Sequence, residues 1–312
     1  PTSVVMNLGQ YVTFTSTVSG GTPPYSYQWY LNGALVSGAT SASWTFTPTS
    51  TGSYTVYVNV TDNVGVTAKS NIASVTVNPT LSVSITPTSV VMDLGQSKTF
   101  TSSLSGGTSP YTYQWYLNGA PVSGATSSSW VFAPTSVGSY TVYLNVTDKT
   151  GAKAKSNTAP VTVNSWPTAS ITPISVFIDL GQQVTFTSTV SGGTSPYTYQ
   201  WYLDGSPIGT NSPTWTFTPT SVGSYTVYVN VTDSGDPTVK SNIASVTVNS
   251  PPSVSVSPTS VTMDVGQSQT FTSSVSGGTS PYSYHWYLNG SPVGSNSSTW
   301  IFTPSSAGSY SV

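Results

Sequence analysis

One long segment occurs four times in this chain. It reads Gly-Gly-Thr-x-Pro-Tyr-x-Tyr-x-Trp-Tyr-Leu-(Asn/Asp)-Gly, and its tryptophans are Trp29, Trp115, Trp201 and Trp286, at spacings of 86, 86 and 85 residues. A period of this length indicates a domain copied in tandem. Such copying makes a chain longer and repeats the same surface along it. Because a catalytic pocket is normally built only once, the repeat predicts that function lies in the array.

The repeat also predicts the domain boundaries. We expect four domains, called copies one to four below, at residues 1–78, 79–164, 165–249 and 250–312. Copy one lacks the opening strand, which in copy two begins at Leu81. Copy four stops at Val312, before its last strands. Since a half-finished sandwich exposes an open sheet edge, we expect the chain to be a window on a longer polypeptide.

Composition excludes several classes of protein. Charged residues are 4% of the chain, comprising six Lys and eight Asp without Arg or Glu, and the net charge is −2. Such a chain has no basic field for nucleic acid, and no apolar run is long enough to span a membrane. The absence of cysteine excludes disulfides and thiolate metal sites. No cofactor is predicted.

Alternation of apolar and polar residues predicts strands and no helices. In the run 52–61 every second residue is Tyr or Val, so these side chains face inward. The run 25–31 places Trp29 inward and its neighbours outward, and Asn32-Gly33 directly after it is a two-residue hairpin signal. With about seven strands per copy, the predicted fold class is all-β, a tandem array of disulfide-free β-sandwiches.

Three segments carry a family resemblance. The segment 12–20, then Trp29, then the segment 51–56 resemble strands B, C and F of an immunoglobulin-like domain. Ser16 and Val56 stand where that family often has its two cysteines, and the tyrosine two residues before Val56 matches its tyrosine corner. The resemblance implies an immunoglobulin-like sandwich in every copy, without the disulfide.

The chain is also similar to polycystic-kidney-disease-type (PKD) repeats through the run Gly-Ser-Tyr-Thr-Val-x-x-x-Val-Thr-Asp. Tandem copies of this mixed pattern resemble archaeal and bacterial cell-surface and extracellular filament proteins. That resemblance implies extracellular scaffolding or adhesion.

The joints between copies are short, and each contains proline. They comprise residues 77–81, 163–168 and 248–253. Proline restricts φ, so these joints cannot extend as Gly-Ser tethers do. We therefore predict a stiff, rod-like array.

No enzyme is predicted from the titratable residues. The single histidine, His285, replaces the glutamine of the other copies at an outward position, and a base present in one copy is a poor catalyst candidate. Asp233 and Asp236, in copy three alone, lack the converging oxygens that calcium needs. No metal site is predicted.

The recurring polar residues are expected to have structural roles. Two sets should form Asx turns: Asp62, Asp148 and Asp233 at a strand end, and Asn7, Asp93, Asp179 and Asp264 before a turn. Lys69, Lys155 and Lys240 recur seven residues after the first set. A weak surface ion pair between each lysine and that aspartate is expected.

Outward-facing residues of two neighbouring strands form the candidate site. They recur as Gln28, Tyr30 and Tyr57, as Gln114, Tyr116 and Tyr143, and as Gln200, Tyr202 and Tyr228. Exposed tyrosines in periodic register suggest a contact surface for assembly or for sugars, although tyrosine also simply suits a half-wet strand. Glycosylation sequons begin at Asn59, Asn145, Asn230, Asn289 and Asn296, and repeat copying or chance also explains them.

The leading prediction is an extracellular structural protein that forms a stalk, sheath or filament on a prokaryotic cell surface. Identical chains would associate through the tyrosine-bearing faces, with adhesion and attached glycans as further expectations. The alternative is a carbohydrate-binding or spacer array of a secreted enzyme or adhesin, in which Tyr30 and Tyr57 stack on sugar rings. No nucleic-acid partner is predicted.

Overall fold

Strands and tight turns make up the described part of the chain, which is residues 1–235 and 237–312 of a computed structural model. Asp236, half of the weak calcium candidate, lies outside these residues. The described residues form four buried cores, one in each copy, and contain no helix. The predicted all-β tandem array is confirmed. Among the same residues no helix is long and apolar enough to cross a bilayer.

By its contacts the chain divides into two compact units, Pro1–Ser165 and Trp166–Val312, and each is described by itself. In the first unit, copy one has β1 (Ser3–Asn7), β2 (Val12–Thr15), β3 (Ser26–Leu31), β4 (Ala34–Leu35), β5 (Ser43–Phe46), β6 (Gly52–Thr61), β7 (Thr67–Lys69) and β8 (Ala73–Asn78). Copy two has β9 (Ser82–Thr86), β10 (Val90–Asp93), β11 (Lys98–Ser105), β12 (Thr112–Leu117), β13 (Ala120–Pro121), β14 (Ser129–Phe132), β15 (Gly138–Thr147), β16 (Lys153–Lys155) and β17 (Ala159–Asn164).

The second unit contains copies three and four. Copy three has β18 (Thr168–Thr172), β19 (Ser175–Asp179), β20 (Val184–Ser191), β21 (Thr198–Leu203), β22 (Ser206–Ile208), β23 (Thr214–Phe217), β24 (Gly223–Thr232), β25 (Thr238–Lys240) and β26 (Ala244–Asn249). Copy four has β27 (Ser253–Ser257), β28 (Gln269–Ser276), β29 (Trp286–Leu288), β30 (Ser291–Val293) and β31 (Thr299–Phe302).

Copy two shows the complete sandwich. One sheet has the order β14-β11-β9, and the other has the order β10-β17-β15-β12-β13 with β16 beside β15. The expectation of about seven strands was too low. The opening segment splits into β9, which is antiparallel to β11, and β10, which is parallel to β17, while β16 adds a short further strand.

The incomplete copies show what each missing strand does. In copy one β2 pairs only with β5, whereas its counterpart β11 pairs on both sides. In copy four residues 261–264 form no strand, although their counterparts β1, β10 and β19 each pair with the last strand of their copy. A strand needs a hydrogen-bonded neighbour, and the sequence of copy four stops before that neighbour.

The alternating residues build the core as predicted. Trp115 and Phe100 are fully buried in copy two, and Trp29 and Val56 are buried in copy one. The indole nitrogen of Trp29 donates to the Ser41 carbonyl at 2.9 Å, so the buried ring leaves no unpaired donor. The same bond recurs in every copy.

Two predicted local motifs are confirmed. The hairpin residues Asn32 and Gly33 have φ of 50° and 82°, as the two-residue turn requires. The Tyr54 hydroxyl donates to the Ser50 carbonyl at 2.7 Å, which is the bond of a tyrosine corner. Equivalent tyrosine bonds occur in copies two, three and four.

The two sets of recurring acidic and amide residues behave differently. Asp62 Oδ1 accepts the backbone N–H groups of Val64 and Val66 at 3.0 and 2.9 Å, so the predicted turn role is confirmed there. For Asn7 the prediction is wrong. The side chain of Gln10 accepts the Asn7 N–H at 2.7 Å and closes that turn, which leaves the Asn7 side chain to contact copy two.

Candidate interaction face

The candidate site residues of copy one lie on one sheet face. Strands β3 and β6 run antiparallel, with Tyr30 opposite Tyr57 and Gln28 opposite Asn59. Since side chains of a strand alternate between faces, all four point away from the core that holds Trp29. The same register recurs in copies two and three, so the predicted clustering is confirmed.

The two tyrosines of each copy stack on each other. The ring centroids of Tyr30 and Tyr57 are 4.8 Å apart, and the rings are inclined by 6°. In copies two and three the centroids are 4.7 Å apart, in the pairs Tyr116 with Tyr143 and Tyr202 with Tyr228. Stacking of this kind contributes about 0.5–1.5 kcal/mol beyond area burial.

A lysine covers the second tyrosine in each copy. The Lys69 ammonium nitrogen lies 3.9 Å from the centroid of the Tyr57 ring, and the distances are 3.9 Å for Lys155 over Tyr143 and 3.7 Å for Lys240 over Tyr228. The expected pairing of these lysines with the strand-end aspartates is wrong. The aspartate oxygens accept backbone N–H groups instead, while the ring quadrupole attracts the ammonium.

Both faces of the Tyr57 ring are therefore occupied. Strands β3 and β7 lie on opposite sides of β6, because both pair with residues 59–61 of that strand. Tyr30 consequently stacks from one side and Lys69 covers the other. The predicted stacking of sugar rings on Tyr57 is disfavoured by this arrangement, since only the ring edge and the hydroxyl remain accessible.

The glutamine of each site makes hydrogen bonds to backbone carbonyls near the sheet edge. Gln28 Nε2 donates to the carbonyls of Trp29 and Val36 at 3.1 and 2.8 Å. Gln114 and Gln200 make the same pair of bonds. These amide nitrogens are therefore occupied by hydrogen bonds to backbone carbonyls, which the sequence did not predict.

An apolar residue extends each row towards the sheet edge. Tyr30 is opposite Leu35, Tyr116 opposite Pro121 and Tyr202 opposite Pro207. Each complete row therefore reads apolar residue, tyrosine, tyrosine, lysine, and we call it the Lys-Tyr-Tyr row. In copy four Tyr287 is opposite Pro292 and 50% exposed, and His285 beside it is exposed as expected.

The sequon asparagines have two kinds of environment. Asn59, Asn145 and Asn230 lie half-buried in the longest strand of copies one to three. Asn289 and Asn296 are exposed, but their side-chain oxygens accept the backbone N–H groups of Ser311 and Tyr284 at 2.8 and 2.7 Å. Their glycosylation stays a prediction.

The rows combine charged, hydroxyl and aromatic groups on one face. Each row presents one ammonium, two phenol hydroxyls and stacked ring edges. Among the described residues there is no group of three or more His, Cys, Asp or Glu side chains that could hold a metal ion.

Sandwiches with a tyrosine corner, and with a repeated outward row in the first three copies, define a tandem array of immunoglobulin-like and PKD-like domains. A model of the immunoglobulin domain matches residues 251–312, and a model of the PKD domain matches residues 1–75 and 168–241. The predicted resemblance to both kinds of repeat is confirmed.

The chain is 31% identical over 256 residues to the highly immunogenic outer capsid protein of enterobacteria phage T4. This match covers 75% of the chain and 68% of that protein, and the chain belongs to the same family. It is also 39% identical over 94 residues to the decoration protein of Escherichia phage T5, which is 29% of the chain and about half, 53%, of that relative.

Solved structures of tandem domains are similar to the chain as well. The three N-terminal domains of the highly immunogenic outer capsid protein of bacteriophage RB49 match with 17% identity and a TM-score of 0.44, over 77% of this chain and 93% of that one. Three immunoglobulin domains of titin match with 16% identity and a TM-score of 0.46, over 79% of this chain and 95% of that one.

Proposed function

We propose that this chain is part of a capsid decoration protein, which carries tandem immunoglobulin-like domains on the outside of a phage head. The observation that carries the proposal is the 31% identity to an outer capsid protein over three quarters of the chain. The decoration protein of a second phage supports it independently. We propose a capsid exterior in place of the prokaryotic stalk or filament expected from the sequence, because the phage T4 relative is an outer capsid protein.

The composition suits an exposed, non-enzymatic role. A cysteine-free sandwich does not depend on the redox state of its surroundings, and charged residues make up only 4% of the chain, which is rich in Ser and Thr. The turn aspartates are saturated with backbone donors, which leaves them poor general bases. We therefore propose that the chain provides an exposed protein surface and performs no catalysis.

Immunogold electron microscopy tests the location. Antibodies raised against residues 1–312 are applied to intact phage particles and to cell envelopes from a culture that expresses the gene. We expect gold on the outer face of the capsids. Gold confined to cell envelopes would contradict the proposal and favour the stalk or filament predicted from the sequence.

The Lys-Tyr-Tyr rows are the surface that we propose for sideways contact between neighbouring chains. They recur once in each of the first three copies and combine ring edges with a positive charge. The triple variant Tyr30→Ser, Tyr116→Ser, Tyr202→Ser exposes the second tyrosine of each row without touching the core. Sedimentation velocity at high protein concentration should show self-association in the wild type and its loss in the variant. A monomeric wild type would rule this contact out.

Glycosylation at the sequons remains a separate proposal for an exposed, nearly uncharged surface. It predicts that sequon-bearing peptides, released by proteolysis of the protein from its native source, are heavier than their bare polypeptide mass. Sequon peptides at the bare polypeptide mass would exclude it.

A further inference from the structure

The Gly-Gly-Thr start of the repeated segment takes no part in the Lys-Tyr-Tyr rows. In copy two these residues are Gly106, Gly107 and Thr108, and the joint from copy one passes directly over them. The Gly107 N–H donates to the Pro79 carbonyl at 2.9 Å. A Cβ on Gly106 would overlap the Thr80 carbonyl oxygen and lie 3.0 Å from the Pro79 oxygen. Glycine is therefore what allows the joint to pass this closely.

A buried polar network connects the two copies beneath the joint. Thr108 Oγ1 donates to Asn7 Oδ1 at 2.8 Å and accepts from Asn78 Nδ2 at 2.9 Å. Asn7 Nδ2 donates to Asp148 Oδ2. The side chains of Asn7, Thr108 and Asp148 are 2%, 8% and 5% exposed. Copy one supplies the two asparagines, and copy two supplies the threonine and the aspartate.

The Asp148 carboxylate is fully used by donors. Its Oδ1 accepts from Thr150 N, Thr150 Oγ1 and Ala152 N at 2.9, 2.7 and 3.0 Å, and its Oδ2 accepts from Thr108 N at 2.9 Å and from Asn7. With all of its lone pairs directed at donors, the carboxylate has no capacity for a cation. The network is thus a lock between domains and not a metal site.

The second unit repeats part of this arrangement between copies three and four, where the threonine and asparagine bonds recur. Thr279 Oγ1 donates to Asp179 Oδ1 at 2.7 Å and accepts from Asn249 Nδ2 at 3.0 Å. The Gly278 N–H donates to the Ser250 carbonyl at 2.6 Å, and a Cβ on Gly277 would lie 2.6 Å from the Pro251 carbonyl oxygen. Thr279, Asp179 and Asn249 are the counterparts of Thr108, Asn7 and Asn78.

We infer that the Gly-Gly-Thr motif is an interdomain lock, which holds copy two on copy one, and copy four on copy three, in one fixed orientation. Proline in the joint restricts its backbone, and the network ties side chains of one sandwich to the next. A buried network in which each member is satisfied stabilises one arrangement over alternatives. The inference goes beyond the capsid proposal and holds for any surface that carries the chain.

Pulsed electron paramagnetic resonance measures the distribution of distances between copies one and two directly. The chain has no cysteine, so spin labels attached at Ser43→Cys and Ser129→Cys, both exposed and at equivalent positions of copies one and two, are the only ones present. For the otherwise wild-type full chain we expect one narrow distance distribution. In Asn7→Ala and in Thr108→Val the width should at least double.

Thr22→Val is the matched control, because Thr22 is the counterpart of Thr108 and is exposed. It should keep the narrow distribution. Thr108→Val retains the shape of the side chain, and near-ultraviolet circular dichroism of the core tryptophans checks that each variant is folded. A wild-type distribution already broad, or variants as narrow as the wild type, would overturn the inference.

Discussion

Asp62 and Asp148 occupy the same turn of copies one and two, yet they lie in different environments. Each accepts two backbone N–H groups from its own turn and one from the Gly-Gly-Thr segment of its copy. In copy one that segment is exposed, with Thr22 in contact with solvent. In copy two Asn7 covers the turn, and both Thr108 and Asp148 are buried. Within residues 1–312, the same local sequence therefore forms an exposed end in copy one and a docked end in copy two.

The two aspartates separate the effect of the turn on the pKa of the carboxyl group from the effect of the neighbouring domain. Backbone hydrogen bonds, that from Val66 foremost, lower the pKa of Asp62 below its ordinary value. Burial opposes ionisation of Asp148, but hydrogen bonds from Asn7, Thr150 and backbone N–H groups outweigh it and lower its pKa to about 2. The turn alone makes the aspartate acidic, and the neighbouring domain adds to that effect.

The largest difference between the two ends should come from the first glycine of the motif. Gly20 and Gly106 both have positive φ, of 74° and 67°, so alanine at either costs about 1–2 kcal/mol in backbone strain. A Cβ at Gly20 has open space, whereas at Gly106 it meets backbone oxygen, which adds about 1–3 kcal/mol. Calorimetry of the full chain should show Gly106→Ala clearly less stable than Gly20→Ala. Equal melting profiles would show that the joint makes no steric contact with a Cβ at position 106.

Removing the amide of Asn7 should turn the docked end into a free one. Asn7→Ala leaves the buried Asp148 carboxylate without one donor and Thr108 without one acceptor, at a cost of about 2–3 kcal/mol. Urea unfolding of the full chain measures the change. Asp264→Ala, at the equivalent and exposed position of copy four, is the control and should change stability by under about 0.5 kcal/mol. Similar losses in both variants would contradict the docked role of Asn7.

The pH dependence of stability gives the third test. Because folding depresses the pKa of Asp148 from 3.8 to about 2, its contribution is fully present above about pH 4 and is lost as the pH falls through 2. The expected loss is about 2 kcal/mol. Carbon-detected nuclear magnetic resonance titration should find the pKa of Asp148 raised in Asn7→Ala. An unchanged pKa in that variant would mean that the turn alone sets it.

The smallest effect should be the same in both copies, which makes it a check on the others. Lys69→Met and Lys155→Met remove the ammonium over a tyrosine but keep an apolar stem, at a cost of about 0.5–1 kcal/mol each. These lysines lie away from the docked turn, so thermal unfolding should shift equally for the two variants. A larger shift for Lys155→Met would indicate that docking alters the whole of copy two.

Local patterns in the sequence predicted most of the fold. Alternation placed Trp29 and Val56 in the core, and the Asn-Gly dipeptide gave the hairpin, because both depend on neighbouring residues only. The shared face of Tyr30 and Tyr57 also followed from alternation. The lysine over Tyr57 was missed, since it depends on the register between β6 and β7, which no local rule specifies.

The docked ends were missed for a different reason. Asn7 was expected to close its own turn, but Gln10 does so, and a glutamine recurs at this spacing in every copy as Gln10, Gln96, Gln182 and Gln267. That recurrence was a usable signal. So was the strict return of Gly-Gly-Thr at a place where no strand requires it. Which partner such residues meet depends on the next domain, which a single-copy reading does not contain.

The lock between copies has a consequence for how such a chain can change over time. The threonine of the lock recurs in every copy as Thr22, Thr108, Thr194 and Thr279, and the asparagine at the end of a copy recurs in the first three as Asn78, Asn164 and Asn249. Duplication or deletion of a whole repeat would therefore keep these two residue types on either side of a joint. The number of domains can therefore change in single genetic steps, without a new joint.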